Sequence, residues 1–368
     1  MQLSVIILNY NVSPWLQLCL QSVKRAIAGM DAEVVVVDNA SVDDSVIMLK
    51  RDYPEVRCIV NAENLGFAKA NNMGVAAARG EYVCILNPDT VVPEDIFKDF
   101  MAFAKSTPQM GAAGPQFIDG QGRFLPESKR NLPTPRVALK KLLNMDNAYY
   151  ATHIREEEQA KTEILVGALL FISRKHYNAI GGFDESYYMY GEDIDFSYSI
   201  TRSGLHNYYL GTTRVIHFKG ESTLRDKDQA ERFYGAMRIF YKKYFKRGFL
   251  RDFGVYFLTG FAKVINRKPK PTIINPSFMI YVGQDDFITQ FAQFKNRDFK
   301  KSSLVQLMEM QPENTLVIID AAYVRFQEII NVMHALRGRG NTFRIRPEGC
   351  NFILGSDSPS HRGEVIRP

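Results

Sequence analysis

The N-terminal quarter of the chain alternates between short apolar runs and segments with helical character. Continuous runs rich in β-branched residues are typical of strands buried on both faces of a parallel sheet. Such runs occupy residues 3–8, 33–37, 56–60 and 82–86. The segments between them have the spacing or the small residues of helices, and they are 15–28, 43–50 and 68–78. The alternation predicts an α/β fold with a doubly wound sheet.

Polar residues follow three of these predicted strands, at the point where each strand ends. Asn9 to Asn11 follow the first, Asp38 to Ser41 the second, and Asn87 to Asp89 the fourth. Ligands of open α/β sheets bind at the carboxyl ends of the strands, so we expect these tips to line one site. A single polar loop after a strand is usually a solvated turn, and it is the repetition that favours a binding site.

Beyond these strands, the sequence predicts an irregular segment, followed by further helices and strands that include a second unit. Residues 111–165 mix Gly, Pro and charged residues and are expected to be irregular. A helix is expected to begin near residue 192 and to end at Gly204 as its C-cap. Further strand-like runs lie at 165–173, 215–218, 278–282, 316–319 and 342–345.

Composition places the chain among ordinary globular proteins, with 46% hydrophobic and 23% charged residues. The four cysteines, Cys19, Cys58, Cys84 and Cys350, form no CxxC pair, so neither a zinc knuckle nor a disulfide framework is expected. The net charge of +6 is mild, and no nucleic acid partner is expected. The N-terminal apolar run lacks the features of a signal peptide, and no apolar run is long enough to predict a spanning helix.

Five short motifs follow one another between residues 37 and 193. They are Val37-Asp38-Asn39-Ala40-Ser41, Asn64-Leu65-Gly66-Phe67, Leu86-Asn87-Pro88-Asp89, Gly182-Phe183-Asp184-Glu185 and Gly191-Glu192-Asp193. In this order and spacing, the set resembles family 2 glycosyltransferases of the GT-A fold, over roughly residues 1–245. Within that family it looks like the rhamnosyltransferase-like branch that builds bacterial surface polysaccharides.

The resemblance implies a GT-A nucleotide-diphospho-sugar transferase fold, with a Rossmann-like mixed sheet. It also implies an inverting hexosyltransferase that moves a sugar to a hydroxyl of a lipid-linked or polysaccharide acceptor. The donor would be a nucleotide-diphosphate sugar, with dTDP-rhamnose suggested by the resemblance alone. The C-terminal part of the chain lies outside the resemblance.

The resemblance assigns several residues to the nucleotide-sugar. Asp38 corresponds to a carboxylate that accepts a hydrogen bond from the base, and Tyr10 would stack near that base. Asn64, Gly66 and Asn72 match further family positions, and Gly66 would let the backbone approach the nucleotide closely. Gly66 could also be an ordinary turn glycine, and Asn72, in a helix of small residues, needs a buried partner.

The family's Asp-x-Asp metal motif reads Asn87-Pro88-Asp89 here, so an amide replaces the first carboxylate. Asp89 matches the position that binds Mg²⁺ or Mn²⁺, and such an ion would neutralise the departing diphosphate. Asn87 is a weaker ligand and could face the ribose or base instead. His217 is a second candidate ligand. From the residues alone, Asp89 could equally cap the next helix, and His217 could be structural.

The catalytic base of the family corresponds to Asp193, at the start of a predicted helix whose dipole favours an ionised carboxylate. Glu192 and Asp195 are close competitors for the same role. Arg202 could pair with the diphosphate or with a carboxylate of its own helix. The alternative interpretation of this acidic cluster is helix N-capping together with surface charge.

Residues 238–251 contain six basic residues, five aromatic residues and no acidic residue. A helix with an aromatic face and cationic flanks can lie on an anionic membrane surface, which predicts a cytoplasmic protein attached to the inner face of the plasma membrane. The alternative is a helix docked on the catalytic domain with a solvated basic face. The expected division is a catalytic domain over 1–228, this helical segment and a linker over 229–271, and a small α/β domain of open role over 272–368.

Two other classes of function share features with this sequence. A catalytically silent protein that binds nucleotide-sugars as a scaffold would explain Asn87, although Asp89, Glu192 and Asp193 are present. An NAD-dependent oxidoreductase would also have an α/β pattern. It would need a Gly-x-Gly-x-x-Gly turn after the first strand, where Asn9 to Asn11 stand instead.

Overall fold

Two α/β units make up the part of the chain that the computed structural model describes, which is residues 1–142, 146–221, 229–245, 276, 278–294, 298–359 and 361–368. The strands of the N-terminal unit are β1 (Leu3–Asn9), β2 (Ala32–Asp38), β3 (Arg57–Val60), β4 (Tyr82–Leu86), β5 (Thr90–Val91), β6 (Met110–Ile118), β7 (Gln159–Thr162), β8 (Leu169–Ser173) and β9 (His206–His217). Its helices are α1 (Ser13–Ala26), α2 (Ser45–Asp52), α3 (Phe67–Ala77), α4 (Ile96–Ser106), α5 (Pro135–Leu142), α6 (Arg174–Ile180), α7 (Glu192–Arg202) and α8 (Gln229–Tyr244).

The N-terminal sheet has the strand order β3-β2-β1-β4-β8-β6-β9-β5, with β7 paired to β9. Strands β1 to β4 are mutually parallel, and Asn9 at the end of β1 lies opposite Asp38 at the end of β2. Strand β8 runs antiparallel to β4, with Leu169 opposite Leu86, so the segment before β8 reaches the same edge. The expected α/β fold with a mixed, Rossmann-like sheet is therefore confirmed.

Strand β1 is buried on both faces, as its unbroken apolar sequence predicts. Its alternate residues Leu3, Val5 and Ile7 belong to one core cluster, which includes residues of α1, α2 and α4. Ile6 points to the opposite face and belongs to a second cluster that includes residues of α3 and α7. Helices on both faces of the sheet thus hold the polar carboxyl ends of the strands at a single edge.

The expectation that residues 111–165 would be irregular is wrong at its start. Residues Met110–Ile118 form β6, which is completely buried between β8 and β9. Its sequence contains two glycines, two alanines and a proline, all of which are depleted in strands, so the local signal was weak. The pairing of β6 with β9 shifts register after Pro115, where a proline can be accommodated. Strand β9 is also longer than the expected 215–218 run.

The C-terminal unit has a six-stranded sheet in the order β11-β10-β12-β13-β14-β15. The first four strands are parallel and the last two join antiparallel, as expected for a small α/β unit. Its strands are β10 (Phe278–Val282), β11 (Phe299–Lys301), β12 (Thr315–Asp320), β13 (Thr342–Arg346), β14 (Ile353–Gly355) and β15 (Glu364–Ile366). Its helices are α9 (Leu304–Met310) and α10 (Phe326–Ala335).

The two units share a hydrophobic core. Trp15 and Phe218 of the N-terminal unit lie in one buried cluster with Ile330 and Met333 of α10. Polar contacts reinforce this junction, because both carboxylate oxygens of Glu94 accept backbone N–H groups at the start of α10, at 2.7 and 2.9 Å. A carboxylate at a helix N-terminus also interacts favourably with the helix dipole. The C-terminal unit is therefore packed onto the N-terminal unit and not merely tethered to it.

Other expectations concern membrane segments and cysteines. Within the described ranges, no helix is both long enough and apolar enough to cross a membrane. Cys19, Cys84 and Cys350 are buried, Cys58 is half-buried, and all four are free thiols. The linker expected at 266–271 lies outside the described residues.

The close contact between the two units predicts that Gly122→Ala lowers the free energy of unfolding more than Gly29→Ala does. Gly122 and Gly29 both have a left-handed backbone, with φ of +76° and +75°. A Cβ on Gly122 would lie 2.0 Å from the carbonyl oxygen of Met333 in α10, whereas a Cβ on Gly29 would meet nothing within 4 Å. We expect Gly29→Ala to lower the free energy of unfolding by about 1–2 kcal/mol, and Gly122→Ala to cost a further ~1–3 kcal/mol from the clash.

Chemical denaturation of both variants measures the difference. Equal losses for Gly122→Ala and Gly29→Ala would contradict a close approach of α10 to the N-terminal unit.

Candidate active site

The ends of β1 and β2 present a buried carboxylate. Asp38 is fully buried, and its oxygens accept hydrogen bonds from the Asn9 side chain at 2.7 Å and from the Ser41 N–H at 2.8 Å. Tyr10, directly after β1, is half-buried. Asp38 is thus held in one orientation at the strand edge, which is the position a recognition carboxylate requires. Its contact with a nucleotide base stays a prediction.

The loop before α3 packs against the segment that precedes α7. The side-chain oxygen of Asn64 accepts hydrogen bonds from the Gly66 N–H at 3.0 Å and from Asn39 at 3.1 Å. Gly66 has φ +80°, and a Cβ there would lie 2.4 Å from the carbonyl oxygen of Tyr188. Glycine is therefore required by the protein's own packing, and approach to a nucleotide is an additional prediction.

Asn72 has the buried partners that its place in a small-residue helix demanded. Its side-chain oxygen accepts from the Tyr177 hydroxyl at 2.6 Å and from the Phe183 N–H at 3.0 Å. Its side-chain nitrogen donates to the Phe183 carbonyl and to Glu185, both at 2.9 Å. Asn72 thus ties α3 to the loop after α6, and its predicted contact with the donor would have to be made in addition to these bonds.

Asp89 and His217 form a buried pair beside the end of β4. Strands β5 and β9 are antiparallel with Thr90 opposite His217, which brings Nε2 of His217 to 3.4 Å from Oδ1 of Asp89. The N–H of Glu221 donates to the other oxygen of Asp89 at 3.3 Å. Burial alone would raise the pKa of Asp89, but His217 and the hydrogen bonds outweigh it and hold that pKa below its ordinary value. Asp89 is therefore an anion at neutral pH.

The pair has the chemistry of an incomplete cation site. Asp89 Oδ1 and His217 Nδ1 are buried and have no hydrogen-bond partner within the described ranges. A carboxylate and an imidazole suit Mn²⁺ or Mg²⁺, which usually complete their coordination with substrate phosphates and water. No cluster of three or more His, Cys, Asp or Glu side chains with metal-binding geometry occurs among the residues described. The half-buried Asn87 lies on the same loop as Asp89.

Asp193 is held in a buried ion pair at the start of α7. Its Oδ2 accepts a hydrogen bond from Nη2 of Arg130 at 2.6 Å and another from the Gly167 N–H at 3.2 Å. The same Arg130 nitrogen donates to the carbonyl oxygen of Leu165 at 2.7 Å. Burial would lower the pKa of Arg130, but the charge of Asp193 outweighs it and raises that pKa. The arginine thus stays charged and fixes the carboxylate at this depth.

Residues Gly167 and Ala168 connect the two acidic centres. The carbonyl oxygen of Ala168 accepts the Asn87 N–H at 2.9 Å, and the Gly167 N–H donates to Asp193. One dipeptide at the start of β8 therefore contacts the metal-motif loop on one side and the start of α7 on the other. Asp89 and Asp193 therefore lie at the same edge of the sheet.

Glu192 differs sharply from its neighbour. It is buried, and its Oε2 has no hydrogen-bond partner in the described part of the chain. Burial, together with the adjacent negative charge of Asp193, raises the pKa of Glu192 to about 8. The carboxyl group is therefore protonated at neutral pH, whereas a general base must be ionised.

Asp195 and Arg202 have other partners on α7. Asp195 accepts from Lys243 at 3.0 Å and from the Tyr187 hydroxyl at 3.2 Å, which links α7 to α8. Arg202 is exposed at the last residue of α7, with its guanidinium 5.5 Å from the centre of the Tyr244 ring. At 1.5 Å per residue, Arg202 lies roughly 13 Å along the helix from Asp193. The structure does not bring Arg202 together with the other candidate residues.

Helix α8 is docked on the N-terminal unit through its aromatic face. Phe240 and Met237 are buried in a cluster with Ile164 and Ile194, and Tyr241 donates to the carbonyl oxygen of Pro133 at 2.8 Å. This is the docked arrangement that the sequence left as an alternative. The part of the basic segment from 246 to 251 lies outside the described residues.

Three charged residues of the site carried no recognisable sequence signal. Arg130 and Glu127 lie in the segment expected to be irregular, and Lys243 lies among several basic residues of α8. Glu127 is half-buried and pairs with Lys219 at 2.5 Å, close to the end of β9. Burial would raise the pKa of Glu127, but Lys219 outweighs it and lowers that pKa.

The sheet order and the acidic strand ends define the GT-A class of nucleotide-diphospho-sugar transferases. The family model described as Glycosyl transferase family 2 matches residues 4–180. The N-terminal unit therefore belongs to glycosyl transferase family 2, and the protein is a glycosyltransferase.

Two rhamnosyltransferases and one mannosyltransferase structure are among the proteins similar to this chain. The chain is 29% identical over 241 residues to the N-acetylglucosaminyl-diphospho-decaprenol L-rhamnosyltransferase of Mycobacterium tuberculosis, covering 61% of this chain and 78% of the relative. It is 23% identical over 163 residues to the rhamnosyltransferase WbbL of Escherichia coli, covering 42% and 61% respectively. Among solved structures, it is similar to the mannosyltransferase PcManGT of Pyrobaculum calidifontis in complex with GDP-Man and Mn²⁺. That match has 19% identity, a TM-score of 0.49 and 72% coverage of each chain.

The environment of Glu192 predicts a change in the pH dependence of stability. Its pKa rises from about 4.5 to about 8 on folding, so the native state binds more protons than the unfolded state between these values. Stability from this group is therefore complete below pH 4.5 and is lost as the pH rises towards 8. Glu192→Gln stays neutral, and we expect it to gain at least about 1.4 kcal/mol relative to wild type on going from pH 5 to pH 9.

Urea denaturation at both pH values measures this gain. Glu309→Gln, on the exposed side of α9, serves as the control and should follow wild type. A Glu192→Gln variant that also follows wild type would show that Glu192 is already ionised in the folded protein.

Proposed function

We propose that this glycosyltransferase moves a sugar, with inversion, from a nucleotide-diphosphate donor to a hydroxyl group of a lipid-linked or polysaccharide acceptor. The observation that carries the proposal is a pair of buried carboxylates, Asp89 and Asp193, at one sheet edge: the Gly167 N–H bonds to Asp193, and the Ala168 carbonyl bonds to the loop that carries Asp89. One carboxylate has the setting of a cation ligand beside a diphosphate, and the other has the setting of a fixed base.

On the donor side, the strand ends would hold the nucleotide. Asp38 would accept a hydrogen bond from the base, Tyr10 would stack on it, and Asn64, Gly66 and Asn72 would line its surroundings. In support, Asp38 is buried and already oriented by Asn9, so it needs little reorganisation to receive a ligand. A preorganised partner reduces the entropy lost on binding.

Asp89 and His217 would hold the divalent ion, with Asn87 as a weaker ligand or a contact to the ribose or base. When bound, Mg²⁺ or Mn²⁺ would supply positive charge to the diphosphate leaving group. Oδ1 of Asp89 and Nδ1 of His217 are buried and have no hydrogen-bond partner among the described residues, which supports this assignment. A buried polar atom without a partner is costly, and a ligand that satisfies it removes that cost.

Asp193 would remove the proton from the acceptor hydroxyl. The hydroxyl oxygen then bonds to the anomeric carbon from the face opposite the diphosphate, whose bond to that carbon breaks. Arg130 and the Gly167 N–H hold the carboxylate in place, which favours a near-attack geometry. Glu192 is protonated at neutral pH, which makes it a weaker candidate. Asp195 is bonded to Tyr187 and Lys243, whereas Asp193 is bonded to Gly167 beside the Asn87–Asp89 loop, so Asp193 is favoured over Asp195.

The donor sugar and the location of the protein are extensions of the same proposal. Similarity to two rhamnosyltransferases, at 29% and 23% identity, supports a deoxyhexose donor such as dTDP-rhamnose. A lipid-linked acceptor would be presented at the cytoplasmic face of a membrane. The exposed basic residues Arg238 and Lys242 of α8 would then face its anionic headgroups.

Replacement of the proposed base tests the chemistry. Asp193→Asn keeps the shape of the side chain but cannot take a proton, so we expect transfer to fall by at least about 100-fold. Nucleotide-binding residues are untouched, so donor affinity should stay within about twofold. The variant should also lose ~3 kcal/mol of stability, because the buried Arg130 loses its counter-charge.

Nucleotide release from a panel of nucleotide-sugars, with Mn²⁺ and after EDTA treatment, measures this. If Asp193→Asn keeps the wild-type rate, and either Asp195→Asn or Glu192→Gln shows the expected fall in transfer, the base is that other residue. Tight binding of a donor by wild type without any turnover would instead indicate a silent nucleotide-sugar-binding scaffold.

Attachment to membranes is tested by co-sedimentation with vesicles. The double variant Arg238→Glu/Lys242→Glu should bind vesicles containing anionic phospholipid at least about tenfold more weakly than wild type, because each basic residue contributes ~1 kcal/mol near such a surface. Lys98→Glu/Lys105→Glu makes the same charge change on exposed positions of α4 and should bind as wild type does. Failure of wild type to bind anionic vesicles would refute the membrane proposal.

A further inference from the structure

Glu221 connects the proposed cation site with the C-terminal unit. Its backbone N–H donates to Oδ2 of Asp89 at 3.3 Å, and its side-chain Oε1 accepts the backbone N–H of Gly363 at 2.6 Å. Glu221 is only 4% exposed, and Gly363 is the residue immediately before β15. A single buried residue therefore touches a proposed metal ligand on one side and the last strand of the C-terminal sheet on the other.

The turn just before Glu221 has a left-handed backbone conformation. Lys219 has φ +62° and Gly220 has φ +83°, so two successive residues after β9 are left-handed. Left-handed conformations of residues other than glycine are disfavoured, and they persist where surrounding contacts impose them. The hydrogen bond from Gly363 is one such contact. It holds the side chain of Glu221 while the main chain of Glu221 faces Asp89.

Gly363 is also linked to the Asp89–His217 pair by packing contacts through Trp15 and Phe218. A Cβ on Gly363 would lie 2.8 Å from the Trp15 ring and 2.5 Å from the carbonyl oxygen of Gly355, so this position is tightly enclosed. The Trp15 ring packs on Phe218, with ring centres 4.7 Å apart. Phe218 directly follows His217, and its N–H donates to the carbonyl oxygen of Asp89 at 3.0 Å. Both routes from Gly363 end at the Asp89–His217 pair.

We infer that the C-terminal unit is a working part of the active site. By holding Glu221 and Trp15, it positions Asp89 and His217 for the divalent cation. Glu221 is a positioning residue in this inference, because it acts through the hydrogen bond to Asp89. The inference rests on the proposed function in one respect, which is that Asp89 and His217 bind the cation.

The test is the affinity for Mn²⁺, measured by electron paramagnetic resonance in the presence of UDP, dTDP or GDP. Glu221→Ala removes the acceptor for the Gly363 N–H, and we expect Mn²⁺ to bind about tenfold more weakly, as is usual when a group that orients a metal ligand is lost. Glu221→Gln keeps an acceptor oxygen and should restore the affinity to within about twofold of wild type. Gly363→Ala should weaken Mn²⁺ binding from the other side, because the added methyl group must displace the turn.

Glu94→Ala is the matched control. It removes a second carboxylate that accepts backbone N–H groups from the C-terminal unit, but the hydrogen bonds of Glu94 go to α10. We expect it to lower the unfolding temperature and to leave Mn²⁺ affinity within about twofold of wild type. Equal weakening by Glu94→Ala and Glu221→Ala would reduce Glu221 to a general stabilising contact and overturn the inference.

The remaining outcomes separate this inference from the proposed function. Wild-type Mn²⁺ affinity in Glu221→Ala and Gly363→Ala would overturn the inference alone. Equal loss in Glu221→Gln and Glu221→Ala would make the carboxylate charge essential, and Glu221 would then be a ligand and not a positioning residue. If wild type binds no Mn²⁺ and Asp89→Ala behaves in the same way, the metal assignment is overturned, and this inference with it.

Discussion

The buried ion pair between Arg130 and Asp193 is the constraint on which the arrangement of the site depends. Removing one partner would leave a charge without compensation in a poorly solvated place, which typically costs several kcal/mol. Arg130 also donates to the carbonyl oxygen of Leu165, and Asp193 accepts from the Gly167 N–H. The segment around Arg130, the approach to β8 and the start of α7 are therefore held together by one set of charge-assisted hydrogen bonds. The hydrogen bonds that hold these three segments together also fix the position of the proposed base, Asp193.

The elements that could be predicted from the sequence are those that carry their own local signal. Strands β1, β2 and β4 are mainly apolar, and the alternation of strands with helices along the chain already implied a parallel sheet. Strand β6 could not be recognised, because Met110–Ile118 is rich in small residues whose place between β8 and β9 is decided by packing. The candidate site divides in the same way. Asp38, Asp89 and Asp193 lie in recognisable motifs. Arg130 could not be predicted, because its ion-pair partner Asp193 lies 63 residues away and the two meet only in the folded chain.

Asn87 in place of a carboxylate changes the electrostatics of the proposed cation site. Asp89 and His217 together supply one negative charge when the imidazole is neutral, which undercompensates a divalent ion. The remaining charge and coordination would have to come from the diphosphate of the donor. Such a site binds cation and donor as mutually dependent ligands, since each supplies what the other lacks. In the part of the chain that the structure describes, Asp89 has a buried oxygen atom without a hydrogen-bond partner, which fits such a site.

The core shared between the two sheets has a practical consequence for work with shortened versions of this enzyme. The family model ends at residue 180, yet the ring of Trp15 belongs to a cluster that is completed by α10. A fragment lacking residues 276–368 would expose that ring to water, together with Ile216 and Phe218. Contiguous apolar patches of this kind promote self-association. Loss of activity in such a fragment would therefore be confounded by aggregation, and single substitutions in a chain that keeps both units give the cleaner comparison.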